Sequence, residues 1–417
     1  MVPEAVVAVS TQQTTACRSC GSECLHPVID LGQQPLANSY RTPDDGMPEA
    51  LYPLAVVCCE SCSLLQLTYR VDPTLMFDDY RYLSSYSTGM VEEMRDLAAS
   101  LVTDRALGAG SLVVEIASND GYLLQHYLTE GVAVLGVEPA ERPALLARER
   151  GVTTRIDYFT EALAGALVAE RQPADVLHAN NVLAHVPDIN DFVAGIAALL
   201  ARDGVAVIET PYAVDMLAQN AFDTIYHEHV FYYSATALQV LFTRHGLAMS
   251  GIERVRHHGG SLRLRVVHGD QPGADAAALL DQERAAGVGS EAWTAGFALA
   301  AERVCDGLRT WLEEQRSLGR RVAGYGAAAK GTVLLNHAGI GVEDLTFVVD
   351  RNPAKQGRLM PGTGQPVLDV DQLLAHRPDS LLVLAWNHAD EVYAQLGDYR
   401  AQGGQLFVAV PRVRALP

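Results

Sequence analysis

Lysine is nearly missing from this chain of 417 residues: Lys330 and Lys355 are the only two, and the other 29 of its 31 basic residues are Arg. Acidic residues number 50, which sets the formal net charge at −19. A chain this anionic is a poor partner for a phosphate backbone or an anionic membrane, since both need clustered Lys and Arg. No run approaches the roughly 18 consecutive apolar residues of a membrane span. Residues 1–16 contain no basic side chain, which argues against a secretory signal or transit peptide and leaves the cytoplasm as the expected compartment. Beyond residue 62 there is a single cysteine, Cys305, so a disulfide framework is not expected. The scarcity of Lys reads first as a coding bias toward Arg. Two Lys in one region then mark places that want a compact ammonium.

What is present points to a globular protein of two or three domains. Hydrophobic residues make up 49% and charged residues 19%, enough to bury sizeable cores. Residues 1–78 are rich in Cys, Pro and Gly and poor in regular pattern. They hold two CxxC knuckles, Cys17–Cys20 and Cys59–Cys62, separated by 38 residues. Four thiolates from two knuckles make a closed, structural zinc site. Cys58 adjoins the second knuckle, but only Cys59 gives the CxxC loop with Cys62. Residues 1–80 carry ten acids and three bases, so structural zinc is favoured over a nucleic-acid reader.

Residues 79–300 read as α/β. Apolar strands at 111–116, 133–138, 175–180 and 204–209 alternate with helical stretches, the spacing of a right-handed parallel sheet. Residues 301–417 repeat the theme on a smaller scale, with strands at 321–325, 345–350, 380–385 and 405–410. The expected architecture is therefore a small zinc module, a central Rossmann-like sheet and a smaller doubly wound C-terminal domain.

In such a sheet the ligand sits beyond the C-terminal strand ends. The first strand ends at Glu115 and leads into Ala117-Ser118-Asn119-Asp120-Gly121. Glu138, followed by Pro139, ends the second strand, 23 residues after Glu115, where a carboxylate can grip a ribose diol. The first loop has no clean GxGxxG and carries an acid. Asp120 would repel a pyrophosphate and welcome the ammonium of a methionine moiety, which favours S-adenosylmethionine over a nicotinamide cofactor. Asn180-Asn181 follows the third strand and completes the expected cofactor set.

After the fourth strand comes Tyr226-His227-Glu228-His229. The spacing is not that of a His-Glu-x-x-His metallopeptidase. A general base fits better, because His is neutral near pH 7 and accepts a proton. His229 is the leading candidate, while His227 is as readily a structural histidine. His185 lies after the third strand, where substrate would sit. Tyr80 and Tyr82 precede Ser84-Ser85 at the junction with the zinc module.

These pieces together resemble the nucleotide-sugar C-methyltransferases that make the branched deoxysugars of antibiotics from TDP-linked 4-keto sugars. The resemblance spans almost the whole chain. It runs through Cys17-x-x-Cys20-Gly21, Leu31-Gly32-x-x-Pro35-Leu36-Ala37-Asn38, Cys59-x-x-Cys62, Tyr80-x-Tyr82-x-Ser84-Ser85 and Glu115-Ile116-x-Ser118-Asn119-Asp120-Gly121. It continues through Gly136-Val137-Glu138-Pro139, Asn180-Asn181-x-x-x-His185, Tyr226-His227-Glu228-His229, His258-Gly259-Gly260-Ser261-Leu262-Arg263 and Gly324-Tyr325-Gly326-Ala327-Ala328-x-Lys330-Gly331. Ala117 and Ser63 stand where the family usually has Gly.

The resemblance implies a carbanion chemistry. A base removes the proton beside the ketone, the enolate is held, and the carbon takes a methyl from S-adenosylmethionine. His229 matches the family's base. Tyr82, Tyr226 and His185 are typed to hold the enolate oxygen or orient the sugar, and Glu228 to orient His or bind a sugar hydroxyl or amine. Tyr80, Ser84, Tyr325, Lys330, Asn352 and Lys355 are the expected substrate contacts, the Lys for the two phosphates of TDP. C3 is the expected methylation site and C5 the alternative. An O- or N-methyltransferase, or a zinc-dependent scaffold without catalysis, are the rival readings.

Overall fold

The computed structural model describes residues 14–46, 48–77, 83–86, 88–255 and 259–417. Tyr80, Tyr82 and His258 lie outside them. The chain opens with strands β1 (Leu25–Pro35), β2 (Leu51–Cys59) and β3 (Leu65–Leu67). β1 and β2 run antiparallel from Leu25 opposite Cys59 to Pro35 opposite Leu51, and β3 turns back along β2. This hairpin carries the two Cys knuckles to one end of the module.

The central part supplies β4 (Leu112–Ile116), β5 (Ala133–Val137), β6 (Thr154–Arg155), β7 (Ala174–Asn180) and β8 (Leu200–Pro211), which are parallel to one another. All five residues of β4 are buried, as expected of a strand covered by helices on both faces. After a two-residue strand β9 (Phe231–Tyr232) come β10 (Leu247–Val255) and β11 (Ser261–His268). The resulting sheet has the order β10-β11-β8-β7-β4-β5-β6.

One strand departs from the all-parallel sheet that the sequence suggests. β11 is antiparallel to both β8 and β10. Only residues 256–260 link β10 to β11. Such a link is too short for a crossover, so the chain must reverse as a hairpin. The reversal puts Arg263 directly opposite Glu209.

The C-terminal part forms β12 (Val322–Tyr325), β13 (Val348–Val349), β14 (Val367–Leu368), β15 (Ser380–Val383), β16 (Gln405–Val408) and β17 (Arg414–Ala415) in the order β14-β13-β12-β15-β16-β17. The strand order reverses between β12 and β15, the place where doubly wound sheets take ligands. The long helix before β12 spans Phe297–Ser317.

The three parts interlock. β9, from the central part, pairs with β3 to complete a sheet of order β1-β2-β3-β9. At the knuckle end, Asn190 donates to the Arg18 and Ser19 carbonyls at 2.8 and 3.2 Å. At the other end, residues 37–49 lie on the C-terminal domain: Thr332 donates to the Ala37 carbonyl (3.0 Å), Leu359 N–H to the Arg41 carbonyl (2.9 Å) and Gly362 N–H to Glu49 (2.7 Å). One apolar cluster joins Leu54 and Val56 of β2, Phe222 and Ile225, Leu308 of the long helix, and Leu334 and Leu384. The zinc module is therefore a bracket between the two sheets. Among the described residues no helix is long and apolar enough to cross a membrane.

Candidate active site and metal centre

The Sγ atoms of Cys17, Cys20, Cys59 and Cys62 all lie within 4.8 Å of one another. Cys17–Cys62 measures 3.5 Å and Cys20–Cys59 3.6 Å. A tetrahedron of about 2.3 Å zinc–sulfur bonds has edges of about 3.8 Å, so the four thiols fit zinc as they stand. Three of the four are buried, which suits a closed structural site. Cys58 turns instead toward the carbonyls of Cys59 and Gly289. Among the described residues this is the one group of three or more His, Cys, Asp or Glu placed to hold a metal.

The loop after β4 is sharply bent. Ala117, Asn119 and Gly121 have φ of 55°, 48° and 77°, a left-handed conformation that costs a residue with a Cβ roughly 1–2 kcal/mol. The neighbouring strand must stay bare for this loop to close, because a Cβ on Gly136 would overlap Ser118 Oγ. Three buried acids meet here. Glu138 accepts the N–H groups of Asn119 and Ala140, both at 2.8 Å, and burial pushes its carboxyl up to about 7. Glu115 is pushed up by burial and by the charges of Glu138 and Asp120. Its Oε2 has no hydrogen-bond partner, and neither does Asp120 Oδ1.

Asp120 is already partly engaged. Its Oδ2 holds Arg150 at 2.9 Å and the Ser85 hydroxyl. Ser84 N–H donates to Asn119 Oδ1 at 2.9 Å. The segment 84–85 thus straps the loop after β4, which places Ser84 against that loop. Buried carboxylates with spare oxygens and raised pKa values fit a cationic ligand, which would relieve their mutual repulsion.

The cluster 226–229 lies across the C-terminal end of β7. Val230 N–H donates to the Ala184 carbonyl (2.8 Å) and Tyr233 hydroxyl to the Leu183 carbonyl (2.9 Å). These ties bring the rings of His185 and His229 edge to face at 4.8 Å. His229 is held at both nitrogens. Nδ1 lies 3.1 Å from the Thr224 carbonyl, which can only accept, so Nδ1 carries the proton. Nε2 is then the basic position, and it meets the Tyr226 hydroxyl at 2.8 Å. Burial pushes His185 down to about 4, so it is neutral beside His229. His227 points away, buried against Tyr52 with Nε2 3.2 Å from the Pro53 carbonyl, a structural placement. Glu228 is buried, accepts from Asn38 at 2.6 Å and is pushed up to about 7 by burial.

The C-terminal domain faces this cluster. Lys355 Nζ donates to the Ala327 carbonyl at 2.6 Å and lies over the Tyr40 ring. Lys330, in the helix Ala329–Ala338, sits 4.5 Å over the Trp386 ring. Trp386 donates in turn to the buried Asp223 at 2.7 Å. Burial lifts Asp223 to about 6 against the pull of Lys330. Tyr325 and Asn352 are engaged elsewhere. Tyr325 is packed into the C-terminal core and donates to Gln395 at 3.2 Å. Asn352 Oδ1 accepts Ala354 N–H within its own turn. Asn38, Tyr40, Asp223 and Trp386 also take part in this contact between the 226–229 cluster and the C-terminal domain, with no role assigned to them from sequence. Only Asn38 had a signal, as the end of the Leu31–Asn38 motif.

A C-methyltransferase C-terminal domain model matches residues 256–411, a methyltransferase domain model residues 90–250 and a zinc binding domain model residues 17–77. The C-methyltransferase NovU of Streptomyces niveus is 36% identical over 407 residues, which cover 96% of each chain. The chain belongs to the C-methyltransferase family. It is an enzyme whose methyl donor is S-adenosylmethionine and whose N-terminal cysteine cluster binds zinc. A ubiquinone biosynthesis O-methyltransferase of Hahella chejuensis is 27% identical over 116 residues, 27% of this chain and 48% of that protein. The structure of a magnesium protoporphyrin IX methyltransferase from Synechocystis PCC 6803 aligns at 15% identity and TM-score 0.33, over 43% of this chain and 80% of that one.

Proposed function

We propose that the enzyme methylates the carbon beside the ketone, C3, of a TDP-linked 4-keto-deoxysugar in antibiotic sugar biosynthesis, with His229 as the base. The observation that carries this reading is the fixed tautomer of His229, with a basic Nε2 against the Tyr226 hydroxyl. Nε2 takes the sugar C–H proton and the ring becomes imidazolium. The Tyr226 hydroxyl, released from Nε2, donates to the enolate oxygen as charge builds there. A neutral His185 adds no positive charge to oppose this step. S-adenosylmethionine supplies the electrophilic methyl that the enolate carbon takes up. Glu115, Ser118, Asn119, Asp120, Gly121, Glu138, Pro139, Asn180 and Asn181 frame its site, and Lys330 and Lys355 serve the TDP phosphates. Tyr80 and Tyr82, in the segment before the Ser84-Ser85 strap, join the sugar side. Incubation with a panel of TDP-4-keto sugars, read by mass spectrometry and NMR, tests the reading. A new methyl on C3 supports it; a methyl on C5, oxygen or nitrogen overturns it.

Three further results are expected. Glu138→Ala should weaken S-adenosylmethionine binding by about 1–3 kcal/mol, since it leaves buried partners unpaired. A cationic ligand favours the ionised carboxylate, so binding should expel the Glu138 proton. With that carboxyl near 7 in the free enzyme, affinity should rise about tenfold from pH 6 to pH 8. Titration calorimetry at the two pH values checks this, and flat affinity removes Glu138 from the site. Lys330→Ala should raise the Michaelis constant for the TDP-sugar more than that for the methyl donor. Equal effects on both would argue for a structural Lys.

A further inference from the structure

The motif Gly259-Gly260-Ser261-Leu262-Arg263 has so far been given no task. Its last residue lies opposite Glu209 in the pairing of β11 with β8, and its guanidinium is almost wholly enclosed. One terminal nitrogen, Nη2, donates to two carboxylates: Glu209 Oε2 at 2.9 Å and Glu93 Oε1 at 2.5 Å. These belong to different elements. Glu93 is on the helix Thr88–Asp104, which directly follows the strap that lies on the cofactor loop. Glu209 is on β8, and its Oε1 accepts from Asn181 Nδ2 at 3.2 Å. Asn181 needs such a hold. Its φ is 55°, and its N–H is bound to the Glu209 carbonyl at 2.7 Å. The adjacent Asn180 meets Met94 on the same helix.

We infer that Arg263 is a positioning residue that pins the helix Thr88–Asp104 and the Asn180–Asn181 turn to each other, and thereby holds the methyl-donor site in its closed shape. The inference rests on the reading that Asn180 and Asn181 frame the S-adenosylmethionine site. The geometry gives the roles. The guanidinium shares its one positive charge between two carboxylates and its planar N–H groups fix their directions, which a single-point ammonium does poorly. Without the bridge, Glu93 releases the helix, and Glu209 loses the charge that orients it toward Asn181. The sugar cleft, built from Lys330, Lys355, Trp386 and the 226–229 cluster, shares none of these bonds.

The test uses full-length, zinc-loaded protein and the variants Arg263→Lys and Glu93→Gln. Two readouts are taken: hydrogen exchange of residues 88–104 without cofactor, and the dissociation constant for S-adenosylmethionine beside the Michaelis constant for the TDP-sugar. Arg263→Lys should speed exchange in that helix and weaken cofactor binding about tenfold or more, the scale of one lost charge-assisted hydrogen bond. The constant for the sugar should stay within about twofold. Glu93→Gln should move both readouts the same way by less, and the double variant should be no worse than Arg263→Lys alone. Unchanged exchange in a folded variant overturns the clamp whether or not the enzyme binds the cofactor. Faster exchange with unaltered cofactor affinity overturns its link to the site. Wild-type protein that fails to bind S-adenosylmethionine rejects the cofactor reading, while the exchange result still judges the clamp. If Arg263→Lys does not fold, Glu93→Gln alone decides.

Discussion

His229→Asn should bind both substrates almost normally and lose methyl transfer by about 10²–10⁴-fold, the usual cost of removing a general base. Asparagine can still donate to the Thr224 carbonyl, so the local turn should survive. The discriminating measurement is wash-out of the sugar C–H into heavy water with the demethylated cofactor product present, because it reports proton removal alone. That exchange should fall with the same factor as turnover. Exchange at the wild-type rate would transfer the role of base to Tyr226, bonded to that nitrogen, or to His185, whose ring meets that of His229.

Cys59→Ser should abolish zinc binding and most of the soluble yield. A structural zinc contributes directly to folding free energy, on the order of 10 kcal/mol in small zinc modules. Here the loss would reach beyond the module. Cys59 N–H and carbonyl close the second knuckle onto Leu64 and Ser63, and the next strand, β3, is the one that pairs with β9. β9 follows His229 by two residues. Metal analysis and thermal unfolding of any soluble fraction check the effect. Full zinc content in the variant would exclude Cys59 as a ligand. Cys24→Ser, at an exposed thiol outside the cluster, should retain the metal.

The central parallel strands of the two larger sheets were legible in the sequence because a strand covered on both faces must be apolar throughout, as Leu112-Val113-Val114 and Leu381-Leu382-Val383 are. The length and direction of other strands were not. β1 runs for 11 residues through Pro27 and Gly32, with two register shifts that hide its alternation. β9 is two residues long and carries no period at all. Leu262, Leu264 and Val266 alternate with Arg263 and Arg265 as a half-buried strand should, yet nothing local tells that β11 runs backwards. The metal centre was legible because each knuckle is a local motif. The Tyr226–His229 pair was legible for the same reason, being three residues apart. Asp223 with Trp386, and Asn38 with Glu228, are separated by 163 and 190 residues. Such partners are made by tertiary packing, which no window of sequence displays.

The bracket formed by the zinc module also limits how this enzyme can be recombined. Asn38 bonds to Glu228 and Tyr40 to the Ala327 carbonyl, yet both are encoded ahead of the methyltransferase sheet, and their neighbours are bonded to Thr332, Leu359 and Gly362 of the last domain. A chimera that exchanges only the C-terminal third with a relative would set a foreign surface against the native bracket. Substrate preference should therefore travel with two separate pieces of gene, and a productive exchange must move both together.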